Sequence, residues 1–164
     1  MKLFDIFESF EDEKSHEDAL KKTGFWGKAA AGCIFFAKDT GKFLLSHRSL
    51  VVEQPGTWGG WGGAIDLGEN PEEAARREAY EESGHTDSLE IIPLFVFKKE
   101  TFRYYNFLAV VNKEFKPKLN WESDGFIWTK INEWPSPLHF GLKALFSDKE
   151  SYSIMKNLSD EYKL

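Results

Sequence analysis

Residues 70–84 constrain this chain more than any other stretch. Asn70 is a common helix N-cap, Pro71 suits the first helical position, and Glu73 stands where a capping box needs an acid. Gly84 suits the left-handed residue that closes a helix. These signals agree on a helix over residues 71–83. Within it, Glu78, Glu81 and Glu82 stand at i, i+3 and i+4, so they share one face. Ala74, Ala75 and Ala79 occupy the opposite face, where small side chains let a helix lie close to a sheet. Like charges at this spacing repel by roughly a few tenths of a kcal/mol per pair. Arg77, four before Glu81 and adjacent to Glu78, offsets part of that; a divalent cation offsets far more. Mg²⁺ takes carboxylate oxygens together with substrate phosphates. A charged helical face on its own is most often simply solvated, so the surrounding spacing has to decide.

The segment before the helix, residues 51–70, holds six glycines and reads as a long loop with a short strand near residues 63–65. Its bare backbone brings amides and carbonyls to the helix N-terminus, where phosphate or metal can meet them. Upstream, AAAGCIFFAK, the turn DTGK and FLLSHR read as a hairpin. Downstream, LEIIPLFVFKK and TFRYYNFLAVV read as strands, residues 113–120 as a polar connection and GFIWTKI as a further strand. After the break at Trp134-Pro135-Ser136-Pro137, helices are expected over residues 139–146 and in the tail. Strands flanking a central helix, with helices at the end, make an α/β domain. Residues 1–22 form a separate acidic lead-in, with Leu3, Phe4, Ile6, Phe7 and Phe10 at helical spacing. The expected organisation is this amphipathic segment followed by one domain over residues 23–164.

The spacing across the loop and helix is specific. Gly63, five residues, Glu69, seven residues, then Arg77-Glu78-Ala79-Tyr80-Glu81-Glu82-Ser83-Gly84 resembles the signature of the Nudix hydrolase superfamily. Every fixed Gly, Glu and Arg matches; His85 departs, standing where an aliphatic residue is usual. The approach segment 43–59 and the later Trp121-Glu122 followed by Phe126-Ile127-Trp128 are also similar to family text. The resemblance implies an α/β/α sandwich around a mixed sheet. It implies hydrolysis of a diphosphate linkage in a nucleoside diphosphate joined to another group, with Mg²⁺ or Mn²⁺. Carried over by position, Glu78, Glu81 and Glu82 would hold metal, helped by the Gly63 carbonyl. Glu78 would also orient or deprotonate water, Arg77 would hold a glutamate in place, and Glu69 would brace the loop. Glu122 is the candidate extra ligand or general base.

Substrate choice is less legible. Trp58, Trp61, Tyr104 and Tyr105 are candidates for stacking on a base, and Arg48 and Arg103 for pairing with phosphates. Composition narrows the partners. With 21 Lys plus Arg against 27 Asp plus Glu, the net charge is −6, which disfavours a general duplex-DNA or anionic-membrane binder. A polyphosphate then needs a cation to mediate. No apolar stretch is long enough to span a bilayer. The single cysteine, Cys33, excludes an internal disulfide and any multi-cysteine zinc site, so a cytoplasmic protein is expected. A homodimer is left open. The rival reading is a non-catalytic nucleotide sensor or protein-interaction module on the same fold, motivated by the Phe-bearing lead-in and by His85.

Overall fold

The computed structural model describes residues 29–52, 54–85 and 89–163, without the side chains of Glu82 and Ser83. The lead-in expected over residues 1–22 lies outside them. Among the described residues, seven strands and three helices follow in the order β1 (Ala29–Ala37), β2 (Lys42–Arg48), β3 (Trp58–Gly59), β4 (Trp61–Ala64), α1 (Pro71–Ser83), β5 (Glu90–Lys99), β6 (Phe102–Val111), β7 (Ser123–Thr129), α2 (Phe140–Ser147) and α3 (Lys149–Glu161). The strands form one sheet in the order β3-β2-β1-β6-β5, with β4 also paired to β1 and β7 to β2. Only β1 and β6 run parallel among these pairs; the others are antiparallel, so the sheet is mixed.

β1 explains why the architecture has three layers. Ala31, Cys33, Phe35 and Ala37 alternate with Ile34 and Phe36, and nearly all of them are fully buried. The first set packs toward Ala74, Ala75 and Ala79 of α1. The second packs with Phe43, Leu45, Leu142, Leu145 and Met155, toward α2 and α3. A strand covered on both faces has no polar side to show, which is why its sequence runs apolar without alternation. The sandwich expected from the resemblance is the fold observed.

The α1 boundaries fall where the capping residues predict. Asn70 Oδ1 accepts from the Glu73 N–H at 2.8 Å, and Glu73 returns a bond to the Asn70 N–H. Gly84 takes φ 73° and donates its N–H to the Tyr80 carbonyl. His85 is buried just beyond, its ring 4.2 Å from that of Phe115 and 6.0 Å from Phe35. An imidazole thus fills the aromatic slot where an aliphatic side chain is usual. The glycine segment contains two short strands, β3 and β4, rather than the one expected. The reason is close packing: Gly32 of β1 lies opposite Gly62 of β4, and the Tyr104 hydroxyl lies over both. A Cβ on Gly32 would overlap that hydroxyl and the Trp61 carbonyl oxygen.

Overpacking of this kind costs about 1–3 kcal/mol or more. Gly32→Ala is therefore expected to lower the unfolding free energy by about 3 kcal/mol in urea titrations. Adding Tyr104→Ala should restore only part of the loss, because the Trp61 carbonyl stays in the way.

Candidate active site

Arg77 organises the site. Its Nε and Nη2 grip Glu69 in a two-bond fork, at 2.8 Å to Oε2 and 2.9 Å to Oε1. Nη2 also donates to the Ala64 carbonyl at the end of β4, at 3.0 Å. On the other side Nη1 donates to Glu78 at 2.9 Å and to Glu81 at 3.1 Å. Asp66 adds a carboxylate 3.3 Å from Nε. One guanidinium, with five donors in a rigid plane, therefore joins the strand end, the loop and the helix face. The loop is closed on itself as well: Glu69 Oε1 accepts from the Asp66 N–H, and the Glu69 N–H donates to the Asp66 carbonyl.

These contacts set the ionisation. The Arg77 hydrogen bond holds the Glu69 carboxyl below its ordinary range, against an opposing push from burial. Glu69 in turn raises Arg77 further, so the guanidinium stays charged throughout.

The ridge carboxylates differ in their setting. The Glu78 side chain is 6% exposed and that of Glu81 59%. Both place an oxygen within 3.1 Å of the same nitrogen, so they converge. Glu82 stands on the next helical position, and its side chain lies outside the described residues. Among the described residues no group of three acids or histidines stands assembled as a metal cluster. The donor set is nevertheless hard oxygen throughout: two converging carboxylates, beside the carbonyl-lined end of β4 that carries Gly63. That chemistry fits Mg²⁺ or Mn²⁺ and offers nothing to a thiophilic ion. Gly63 itself pairs with Ala31 in the sheet, one residue before the carbonyl that Arg77 holds.

Glu122 is buried just before β7. Its carbonyl accepts from the Ser49 N–H at 3.0 Å, and its N–H donates to Asn120 Oδ1. Ser123, next to it, pairs with Arg48 of β2. Arg48, only 1% exposed, lines an inward recess with Gly59, Gly60, Tyr104, Asn106 and His139.

The other sequence candidates are distributed differently. Trp61 is 1% exposed and packs edge-on against Phe35, so it offers no open face to a base. Tyr104 lies across the two glycines, and Tyr105 packs half-buried under α1. The Trp58 ring sits 4.7 Å from that of His47, which also bonds Asp124. Arg103 closes the β5–β6 turn by donating to the Glu100 and Phe102 carbonyls.

Sequence reasoning passed over Asn106 and His139. Asn106 Nδ2 is held by the Phe95 carbonyl at 2.9 Å. His139 Nδ1 accepts the Gly141 N–H at 2.8 Å, which places the ring proton of the neutral form on Nε2. Their placement in the recess depends on the long-range pairing of β6 and on the turn before α2. The one local signal was that His139 precedes a helix, and it marks a cap.

Comparison with known proteins agrees with this architecture. The NUDIX domain family matches residues 27–148. A Mycobacterium tuberculosis protein named "Putative 8-oxo-dGTP diphosphatase 3" is 35% identical over 132 residues, covering 73% of this chain and 61% of that protein. The match thus spans less than two thirds of the relative's length. The crystal structure of a Nudix hydrolase from M. smegmatis, RenU, superposes with a TM-score of 0.64 at 26% identity, over 83% of this chain and 88% of that one. A C. elegans Ap4A hydrolase binary complex gives a TM-score of 0.58 at 25% identity, over 80% and 96%. The chain belongs to the NUDIX domain family.

The Glu69–Arg77 pair carries a pH signature. Glu69 titrates below its ordinary 4.5 in the folded chain, so the stability it adds is complete above that value. It is lost as pH falls through the lower folded value. Unfolding followed between pH 3 and 6 is expected to show a shallower acid limb in Glu69→Gln than in the unaltered chain.

Proposed function

We propose that this chain is a metal-dependent pyrophosphohydrolase that cleaves the diphosphate linkage of a nucleotide or nucleotide derivative. The observation that carries the reading is the convergence of Glu78 and Glu81 on one nitrogen of Arg77, which Glu69 holds from behind. Family membership supports it. So do the names of similar proteins, a diphosphatase of 8-oxo-dGTP and a hydrolase of Ap4A, each directed at phosphates joined to a nucleoside.

Each residue has a role the geometry permits. Arg77 turns the two ridge carboxylates the same way. Glu78, Glu81 and Glu82, with the Gly63 carbonyl, would hold Mg²⁺ or Mn²⁺. When bound, such an ion neutralises phosphate charge and lowers the pKa of water. Glu78, largely withdrawn from solvent, would accept a proton or orient a water. Glu122 is the second candidate for that proton. Arg48 supplies donors suited to a phosphate oxygen from within the recess. The chain's charge of −6 repels a polyphosphate, so the arginine and the cation together set the local sign. A cytosolic location is part of the same proposal, resting on the single buried Cys33.

Purified protein incubated with nucleoside triphosphates, nucleotide sugars, ADP-ribose and dinucleoside polyphosphates, each with Mg²⁺ or Mn²⁺, is expected to release a phosphate-containing product from at least one. Glu81→Gln and Glu78→Gln should each lower kcat by about 100-fold or more, with the circular dichroism spectrum retained. Wild-type rates in both variants would remove the helix from the chemistry.

Calorimetry should register uptake of Mg²⁺ or Mn²⁺ by the unaltered chain. The heat should fall sharply in Glu78→Gln.

A further inference from the structure

We propose that Trp121, three residues beyond the Lys118 that packs on the C-terminal end of the carboxylate helix, is the residue on which a planar ring of the substrate stacks. The inference rests on the hydrolase reading above and adds a determinant of which substrates are held. Among the described residues, Trp121 is the only aromatic that ranks as an exposed large hydrophobic, at 67%. The other tryptophans among the described residues are engaged. Trp61 is in the core, Trp58 lies against His47, Trp128 donates to the Phe115 carbonyl, and Trp134 stacks on Phe146 at 4.2 Å.

Position ties Trp121 to the site. The Lys118 side chain lies over Gly84, the residue that ends α1. Three residues later comes Trp121, followed by the buried Glu122. The connection therefore runs from the foot of the carboxylate helix to the strand that faces Arg48. The backbone under the ring is also held. Ser49 Oγ donates to the Trp121 carbonyl at 2.8 Å, and the Ser49 N–H donates to the Glu122 carbonyl. Leu50 and Val51, next to Ser49 in the chain, are exposed as well. A ring open to solvent on an anchored backbone binds another ring with little ordering cost. Stacking is also indifferent to charge, so it adds affinity that an acidic chain cannot draw from its own electrostatics.

Equilibrium binding with Mg²⁺ present tests this. The two ligands are a non-hydrolysable nucleoside triphosphate analogue and tripolyphosphate, which has no ring. Trp121→Ala is expected to weaken the analogue about tenfold, within the range known for base–aromatic stacks, and to leave tripolyphosphate within about twofold. Trp121→Phe should keep most of the affinity while abolishing the nucleotide-induced change in tryptophan emission. Equal losses for the two ligands, or no loss for the analogue, would overturn the proposal. So would unchanged analogue affinity together with an altered elution volume in gel filtration, which would make the residue a contact between proteins. The readout is binding, so it is separate from turnover. Unaltered protein that binds the analogue through Trp121 yet cleaves no nucleotide would sink the hydrolase reading and leave the ring platform standing.

Discussion

Everything at the candidate site depends on one guanidinium. Arg77 spends its donors on the loop glutamate, the strand-end carbonyl and both described ridge carboxylates. Without it, two glutamates on one helical face would push apart, and the loop before the helix would lose its cross-link. A lysine at this position would bring one charge and no fork, so it could not reach the same set of acceptors together. The interaction is structural and electrostatic at once: it fixes where the acids are and holds the Glu69 carboxyl below its ordinary range.

Glycine and aromatic residues divide the remaining labour. The glycines opposite each other in β1 and β4 allow the two backbones and a phenol to share a space that no side chain at those positions would leave open. Rings from both sheet faces then fill the layers. Phe35 and Trp61 serve the side under α1, and Phe36, Phe43 and Trp134 the side under α2 and α3. Among the described residues the aromatic side chains thus go mainly into two thin cores, with Trp121 left exposed.

Much of this was readable before any coordinates. The helix limits were legible because caps are local: Asn70, Glu73 and Gly84 act within one turn of themselves. The two-sided burial of β1 was legible as an unbroken apolar run. The carboxylate ridge followed from helical spacing alone, once the ends were known. What could not be read was which rings face inward. Trp61 and Tyr104 have the composition of stacking residues, and only the pairing of β1 with β4 and β6 turns them into core. Asn106 and His139 were missed for the same reason. Their approach to Arg48 is made by strands and turns far apart in the chain, and no local pattern encodes it.

The crossing of Gly32, Gly62 and Tyr104 has a consequence for how sequences of this kind can drift. Three strands meet there with no spare volume, so enlarging any one of the three is blocked by the other two. Change at these positions has to be concerted, and a smaller group in place of the phenol is not enough by itself, because a Cβ on Gly32 would still meet the Trp61 carbonyl oxygen and one on Gly62 the Ala31 carbonyl oxygen.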